Sequence, residues 1–521
     1  PLRPIGHRLL FAHAHIAAAY SFAALLLAKL DAMAYNYSNA RVARSKILKK
    51  ELEKTFHKPI NKLFFIGIGG SSMSGLAGMA LDQGLSVEGS DMVESSYTGK
   101  LKERDVIIHI GHNYQNIPED TDLVVYSAAI HDNNPDMVRA TDLGLPKVER
   151  SDYLGLLSHV FPKTIGVAGT HGKTTTSSMM AALLHYDGRD PSVSIGGKLD
   201  EIGGNACLGH SDYLVIESCE YVDSFLKTQH YLGIITNIEE DHLDYFKGGL
   251  SQIKESFHQF GAILPKDGLM VAYGDSQDVL DAVADLRCPV VTYGLSEDND
   301  WVAKNITYNE QGNPSFDATH HGTFVGHFSL RIPGEHNVLN AMSCIAAADF
   351  LDIEKDVLTR TLQNFGGAKR RFEFRGEVEG INVYEDYAHH PTELKVVVQA
   401  CLNHAHKRLW VIFQPHTYSR TYYLFDDFVD AFEGADKIIL NDIYSDREDN
   451  DWDIYSEDLA KIIKLKHQTP TVVMTDFEDI VKYLTDNLES GDLVLVAGSQ
   501  TINKVAYLLV DALKEKYPQG Q

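Results

Sequence analysis

Cysteine is scarce in this sequence: five in 521 residues, at Cys207, Cys219, Cys288, Cys344 and Cys401, with no close C-x-x-C pair. That argues against a disulfide framework or a zinc ribbon and fits a reducing compartment. Positive charge is also short. Lys and Arg number 47 against 72 Asp and Glu, a formal net charge of −25, which weighs against non-specific attachment to nucleic acid or an anionic membrane. A phosphorylated small molecule is still admitted, because a local phosphate site needs only a few donors. After residue 30 no run is long and apolar enough to span a bilayer, and there is neither a fixed-period repeat nor a low-complexity tract.

What is present is a packed, multi-domain composition. Hydrophobic residues make up 44% and charged ones 23%, near globular averages, and the length favours three domains over one core. The first residues stand apart. Leu9 to Leu30 is largely apolar, follows Arg3 and Arg8, and precedes Ala32-Met33-Ala34, the outline of a signal peptide. The preferred expectation is an extended reading frame with Met33 as the start.

From Lys62 onward, short apolar runs alternate with helical patterns. Lys62–Ile68, Val106–Ile110 and Leu123–Tyr126 form one group of expected strands. Thr164–Ala168, Tyr213–Ile216 and Gly233–Thr236 form a second. Leu409–Phe413, Lys437–Leu440, Thr471–Met474 and Leu493–Val496 form a third. Strands interleaved with helices imply α/β domains with mainly parallel sheets. Boundaries are expected near Glu149–Phe161 and Phe365–Arg371.

The strongest single signal is Gly169-Thr170-His171-Gly172-Lys173-Thr174-Thr175-Thr176, which follows an expected strand and opens an expected helix. That is the setting of a phosphate-binding loop. Glycines let backbone N–H groups turn around phosphate oxygens at the positive end of a helix. Lys173 then serves the β and γ phosphates, and the Thr174 hydroxyl suits Mg²⁺. Val167 stands where G-x-x-x-x-G-K-S/T has its first glycine, so only the second half of that pattern is intact. Glu217 and Glu220 end the next strand group, and Asn237, Asp241 and His242 follow another strand; strand C-termini of an open α/β sheet converge on one crevice. Gly67-x-Gly69 with Ser72 and Asp91 loosely fits a dinucleotide fingerprint, yet a nucleotide pyrophosphate on the same helix N-terminus explains it equally well.

Taken in order, these and further motifs resemble those of the Mur ligases of peptidoglycan synthesis. The others are Gly67–Gly75 with Glu88-Gly89-Ser90-Asp91, Glu217-Ser218-Cys219-Glu220, Asn237–His242, Pro333–Asn340, Arg370-Arg371-Phe372-Glu373, Asp386–Glu393 and Phe413–Thr421. The resemblance runs from about Lys62 to the end. It implies a Rossmann-like UDP-sugar-binding domain over 62–155 and a central P-loop ATP-binding domain over 156–368. A Rossmann-like C-terminal domain over 369–521 would bind the amino acid and close the site, and residues 1–61 would be an extension that need not be native. The implied activity is cytoplasmic: L-alanine is joined to the carboxylate of UDP-N-acetylmuramate through an acyl phosphate, with ATP as co-substrate and Mg²⁺ or Mn²⁺ as cation. Monomer and homodimer both stay open.

Residue by residue, the resemblance places Gly67, Gly69, Gly70, Ser71, Ser72 and Met73 under the UDP pyrophosphate. Asp91, His112 and Ser127 belong to the same UDP-sugar site. Gly169, Thr170, His171, Gly172, Lys173, Thr174 and Thr175 hold ATP phosphates, with Thr174, Glu217 and His242 around the metal. His336, Asn337 and Asn340 fall on the adenine side, and Arg371 and Asp386 close toward γ-phosphate and ribose. Tyr387, His389, His416 and Arg420 lie near the amino acid, Arg420 as carboxylate anchor. Lys173, Glu217, His242, Arg371 and His389 make the catalytic set. Thr417 and Cys219 depart from the family, where a basic residue and an Asp are common. Three rival readings are a recycling ligase that adds a tripeptide, a non-catalytic nucleotide-binding scaffold, and a nicotinamide oxidoreductase resting on the Gly67 loop.

Overall fold

Each of the three groups of apolar runs forms a sheet of its own in the computed structural model, which describes residues 46–243, 245–445 and 448–518. The apolar stretch Leu9–Leu30 lies outside the described residues. Among the described residues, no helix is long and apolar enough to cross a membrane. The chain divides into two compact units. One runs to Val160 and takes in Leu208–Asp212; the other comprises Phe161–Cys207 and everything from Tyr213 onward.

In the first unit a helix over residues 46–56 precedes a five-stranded parallel sheet. Its spatial order is Ile107–Ile110, Ser86–Asp91, Lys62–Ile66, Leu123–Tyr126, Lys147–Glu149. Leu63 to Ile66 expose no surface, as befits a parallel strand covered on both faces. Strand order reverses at Lys62–Ile66, and a crevice opens at the carboxyl end of such a switch point. The Gly67 loop and the helix Ser71–Asp82 begin there.

The second unit holds the other two sheets. The ten-stranded sheet runs Thr323–Ser329, Pro314–His320, Trp301–Tyr308, Val290–Gly294, Leu269–Tyr273, Leu232–Ile235, Lys163–Ala168, Tyr213–Glu217, Ser192–Leu199, Gly204–Cys207. Its interior is parallel. One core gathers the helices Lys173–Tyr186 and Glu335–Phe350; a second gathers Phe257 and Phe260 of Leu250–Ala262. The six-stranded sheet runs Glu373–Val378, Ile381–Asp386, Leu493–Ala497, Leu409–Phe413, Lys437–Leu440, Thr471–Val473, again with two cores.

The mainly parallel character expected from the sequence is found, but antiparallel strands that the periodicity did not mark cover the margins. They are Trp301–Ser329 and Ser192–Cys207 on the larger sheet and Glu373–Asp386 on the smaller. These strands are partly exposed and carry polar residues such as Lys304, Asn305 and Asp317, so they lack the continuous apolar run that identifies a buried parallel strand.

The central strand also carries a titratable burden. Gly166 lies beneath the His230 ring; a Cβ at Gly166 would stand 2.4 Å from His230 Nδ1. Burial depresses the imidazole to about 4, while its Nε2 meets Thr228 Oγ1 at 3.1 Å. The unfolded chain takes up this proton near pH 6.5 and the folded chain only near 4. The stabilising difference is therefore complete above 6.5 and lost as pH falls toward 4, amounting to about 3 kcal/mol at 1.4 kcal/mol per unit. His230→Gln is expected to flatten the acid limb of the melting temperature between pH 7 and 4. An unchanged limb would assign it to other groups.

Candidate active site

The strand Lys163–Ala168 delivers the chain into a tight loop, and the helix Lys173–Tyr186 leaves it. Gly169 has φ +139° and Gly172 φ +80°, backbone settings that side chains rarely adopt. Space reinforces the requirement. A Cβ on Gly169 would fall 2.0 Å from Thr236 Oγ1, and one on Gly172 2.7 Å from Asn340 Oδ1. Asn237 pins the loop by accepting the His171 amide at 2.8 Å and donating to the His171 carbonyl at 3.1 Å. The Lys173 ammonium donates to the Thr170 carbonyl at 3.0 Å and lies 3.0 Å from the buried Glu220 carboxylate. Burial opposes its charge, but Glu220, followed by Cys219 and Glu217, outweighs this and raises its pKa.

Glu217 ends the neighbouring strand, and its Oε2 accepts the Gly196 amide at 2.8 Å. Cβ atoms placed on Gly196 and Gly197 would meet the Glu217 carboxylate at 2.7 Å and Thr174 Cγ2 at 2.9 Å. Carboxylate and Thr174 side chain therefore flank one bare stretch of backbone. His242, at φ +54°, brings Nε2 to 3.9 Å from Glu220 and 3.7 Å from Asp241, with its ring against Tyr221 at 4.6 Å. Of the three residues expected around a cation, Thr174 and Glu217 are gathered, whereas His242 pairs with Glu220. Carboxylate, hydroxyl and imidazole donors of this kind suit Mg²⁺ or Mn²⁺.

A pocket of about 300 Å³ lies beside the loop. Its walls include His171, Gly172, Thr175, Asn337, Arg371 and Asp386, so residues drawn from 171 to 386 meet here. His336 and Asn340 line it as well. Asn337 donates to Pro333 O at 2.7 Å and accepts from Asn340 at 3.1 Å, a chain that fixes the first turn of Glu335–Phe350. Burial, assisted by Arg371, lowers His336 to about 4, so it is neutral at pH 7. Burial lifts Asp386 to about 6 despite Arg371 and the amides of Phe372 and Ala388, each donating at 2.6 Å. Arg371 spans the two sheets, with Nη2 3.4 Å from Thr174 Oγ1 and the guanidinium 5.1 Å from the Tyr387 ring.

A larger cleft, about 920 Å³, is lined by Asp241, His242, His416, Arg420, Tyr423 and Trp452, among others. Arg420 is not an unpaired anchor. Its guanidinium holds Asp241 at 3.0 Å across 179 positions of sequence and also touches His416 O at 3.2 Å. Burial works against the Asp241 charge, yet Arg420 and His242 hold it far below the usual carboxylate range. His416 is pushed down to about 3 by burial and by His389 and Arg420. The rings of Tyr387 and His389 lie 5.3 Å apart, and those of His389 and His416 5.7 Å apart. Thr417, at φ +66°, caps the short helix Tyr418–Tyr423 by accepting the Arg420 amide. Thr417 therefore has a structural use of its own at this position.

In the first unit the expected residues form their own cluster. Gly67, at φ +84°, faces the Ser127 Cβ, and Gly70 caps the helix that Ser71, Ser72 and Met73 open. Asp91 is used inward, accepting the Gly69 amide at 2.7 Å. His112 is held by the fully buried Asp136, Nδ1 to Oδ2 at 2.5 Å, and lies 3.3 Å from Ser90 Oγ.

Glu239 and Glu393 were not singled out from the sequence, and Glu220 only as one of several oxygen donors. All three sit against the loop or its partners. Glu393 was legible only as the last letter of a motif, because its partners lie up to 222 positions away, from Glu393 back to His171.

A phosphate loop on a parallel strand, with acids after the adjacent strands and an arginine arriving from a further sheet, defines a P-loop nucleotide-binding protein. Family models match in three consecutive blocks: "Mur ligase family, catalytic domain" over 62–162, "Mur ligase middle domain" over 167–348 and "Mur ligase, glutamate ligase domain" over 370–500. The chain belongs to the Mur ligase family. It is 44% identical over 454 residues to the UDP-N-acetylmuramate–L-alanine ligase of Caldanaerobacter subterraneus subsp. tengcongensis, covering 87% of this chain and 98% of that protein. The ligase of the same name from Alkaliphilus metalliredigens is 43% identical over 451 residues, 87% of this chain and 97% of that one. Among solved structures, the UDP-N-acetylmuramate–alanine ligase of Thermotoga maritima aligns with a TM-score of 0.74 at 27% identity, over 87% of this chain and 99% of that one.

Proposed function

We propose that this chain is an ATP-dependent carboxylate–amine ligase that joins L-alanine to the carboxylate of UDP-N-acetylmuramate. The observation that carries the reading is the convergence of His171, Asn337, Arg371 and Asp386 on one pocket beside Lys173 and Thr174. The names of the 43–44% identical relatives supply the substrates. A tripeptide-adding ligase is less favoured: a murein peptide ligase from Psychrobacter arcticus shares the fold, with a TM-score of 0.64 at 24% identity.

In this reading an oxygen of the substrate carboxylate attacks the γ-phosphorus of ATP, and the bond to ADP breaks. Lys173 and Arg371 neutralise charge that spreads over the transferred group. Thr174 and Glu217, with His242 beyond Glu220, would hold Mg²⁺, which when bound supplies charge neutralisation at the phosphates. The amine of L-alanine then attacks the acyl carbon, and inorganic phosphate leaves from the tetrahedral intermediate. The ammonium must first lose a proton, a task for His389 and not for His416, whose low pKa makes it too weak a base. Arg371, Asp386 and Glu393 bring the six-stranded sheet's side of the site to this pocket, and closure there during turnover would protect the acyl phosphate from water.

Phosphate release with purified protein tests the reading. Release that needs ATP, UDP-N-acetylmuramate and L-alanine together is the expected result; release with a tripeptide instead would transfer the assignment to the recycling reaction. Arg420→Lys should raise the KM for L-alanine about tenfold or more while leaving that for ATP near its original value, since a fork is replaced by a point charge. An equal rise in both would dissociate Arg420 from the amino acid.

A further inference from the structure

One carboxylate is shared by three side chains that belong to different parts of the chemistry. Glu393 Oε1 lies 3.5 Å from His171 Nδ1 and 3.6 Å from Arg371 Nη1, and Oε2 lies 3.2 Å from His389 Nδ1. The same Oε2 accepts the amides of His389 and His390 at 3.1 and 3.4 Å, closing the first turn of the helix Pro391–Leu402. Across the His171 ring, Nε2 lies 3.4 Å from Glu239 Oε2, which also accepts the Thr392 hydroxyl at 2.7 Å. His390 packs on the ring with centroids 4.6 Å apart.

A carboxylate oxygen lies at ion-pair distance from each ring nitrogen, although neither nitrogen is aligned for a hydrogen bond. An imidazolium is attracted to both acids, whereas a neutral ring leaves two buried carboxylates without a cation between them. We infer that Glu393 is a positioning residue for phosphoryl transfer: with Glu239 it brackets His171 as an imidazolium, and with the same carboxylate it orients Arg371 and His389. The phosphate loop and the amine end of the site are then set from a single anion. The electrostatics agree with the geometry. Burial disfavours charge on both partners, yet Glu239 and Glu393 raise His171 to about 9, and His389 and His171 hold Glu393 well below the carboxylate range.

A histidine 44° out of parallel over the same ring also bears on whether the cluster is a metal site. His390 Nδ1 accepts the Thr392 amide at 3.3 Å, which leaves the proton on Nε2 and removes the lone pair a metal would need. The cluster is thus built for ion pairing.

The transfer step rests on the ligase reading, whereas the bracket around His171 is tested by nucleotide binding alone. Glu393→Gln retains a capping side chain at the third helical position and removes the charge. ADP affinity of the full-length protein is measured by calorimetry from pH 6.5 to 9 for wild type, Glu393→Gln, His171→Gln and the double variant. The groups facing His171 are Glu239, Glu393 and His390, with Arg371 and His389 behind Glu393; His389 loses the same carboxylate, and a limb that survives in the double variant would belong to His389 and not to His171.

Wild type is expected to hold its affinity to about pH 8.5. Glu393→Gln should weaken about tenfold between pH 6.5 and 8.5, as a less supported His171 loses its proton. His171→Gln should show no such limb, and the double variant should behave like it. A Glu393→Gln profile parallel to wild type, or effects that multiply in the double variant, would overturn the inference. In parallel, kcat of Glu393→Gln should fall about tenfold or more. Absence of turnover in the wild type itself would remove the ligase reading and leave the calorimetry to decide the bracket.

Discussion

Lys173→Ala should lower substrate-dependent phosphate release by about 10³-fold or more, and it should loosen the fold as well. The first effect follows from removing a cation at the transferred phosphoryl group. The second comes from Glu220, whose side chain is 4% exposed and 3.0 Å from the Lys173 ammonium. Deleting the lysine strands a buried carboxylate, at a cost of about 3 kcal/mol. The two effects separate in the pair Lys173→Met and Glu220→Gln. Thermal melting of this double variant should return toward wild type, because the stranded charge is gone, while phosphate release stays absent. Recovery of turnover in the double variant would remove Lys173 from the chemistry.

Gly169→Ala is expected to be nearly as damaging, for steric reasons. The new Cβ would stand 2.0 Å from Thr236 Oγ1 and 3.1 Å from the Asn237 amide, on a residue at φ +139°. Thr236 and Asn237 open the segment that receives the loop, so the loop itself must move. Overpacking of this kind costs about 1–3 kcal/mol, and a displacement near 1 Å costs about 10²-fold in rate. Adding Thr236→Ala should restore part of the melting temperature, since the worst contact disappears. Turnover should stay low, because the backbone setting and the Asn237 contact persist. A Gly169→Ala protein with wild-type stability and ADP affinity would mean that the loop tolerates a different course.

The parallel strands and the phosphate loop were legible in the sequence because their signals are local. Leu409–Phe413 and Leu123–Tyr126 are unbroken apolar runs, and they form strands with the same ends. The Gly169–Thr176 segment announces a strand, a turn and a helix within a dozen residues. Strands such as Trp301–Tyr308 were illegible because only Trp301 to Ala303 are buried, and the half that follows is partly exposed and broken by Lys304, Asn305 and Thr307. Within the site, the pairing of Arg420 with Asp241 could not be read, since an ion pair across 179 positions leaves no periodic trace. The same holds for Glu239 and Glu393 on His171. Both acids stood inside recognised motifs, yet their roles depend on which loops of two sheets are brought together. Asp91 is a milder instance: its place in the first unit was anticipated, but its carboxylate serves the Gly69 amide.

The pocket beside the loop takes its first wall residue from position 171 and its last from Val397. During synthesis at about 5–20 residues per second, the phosphate loop therefore emerges roughly ten to forty seconds before the pocket is complete. Until then, a nascent chain carries the loop without Arg371 or Asp386 to close over a nucleotide. Stabilisation by nucleotide that depends on Arg371 or Asp386 is therefore open only to chains translated into the third sheet.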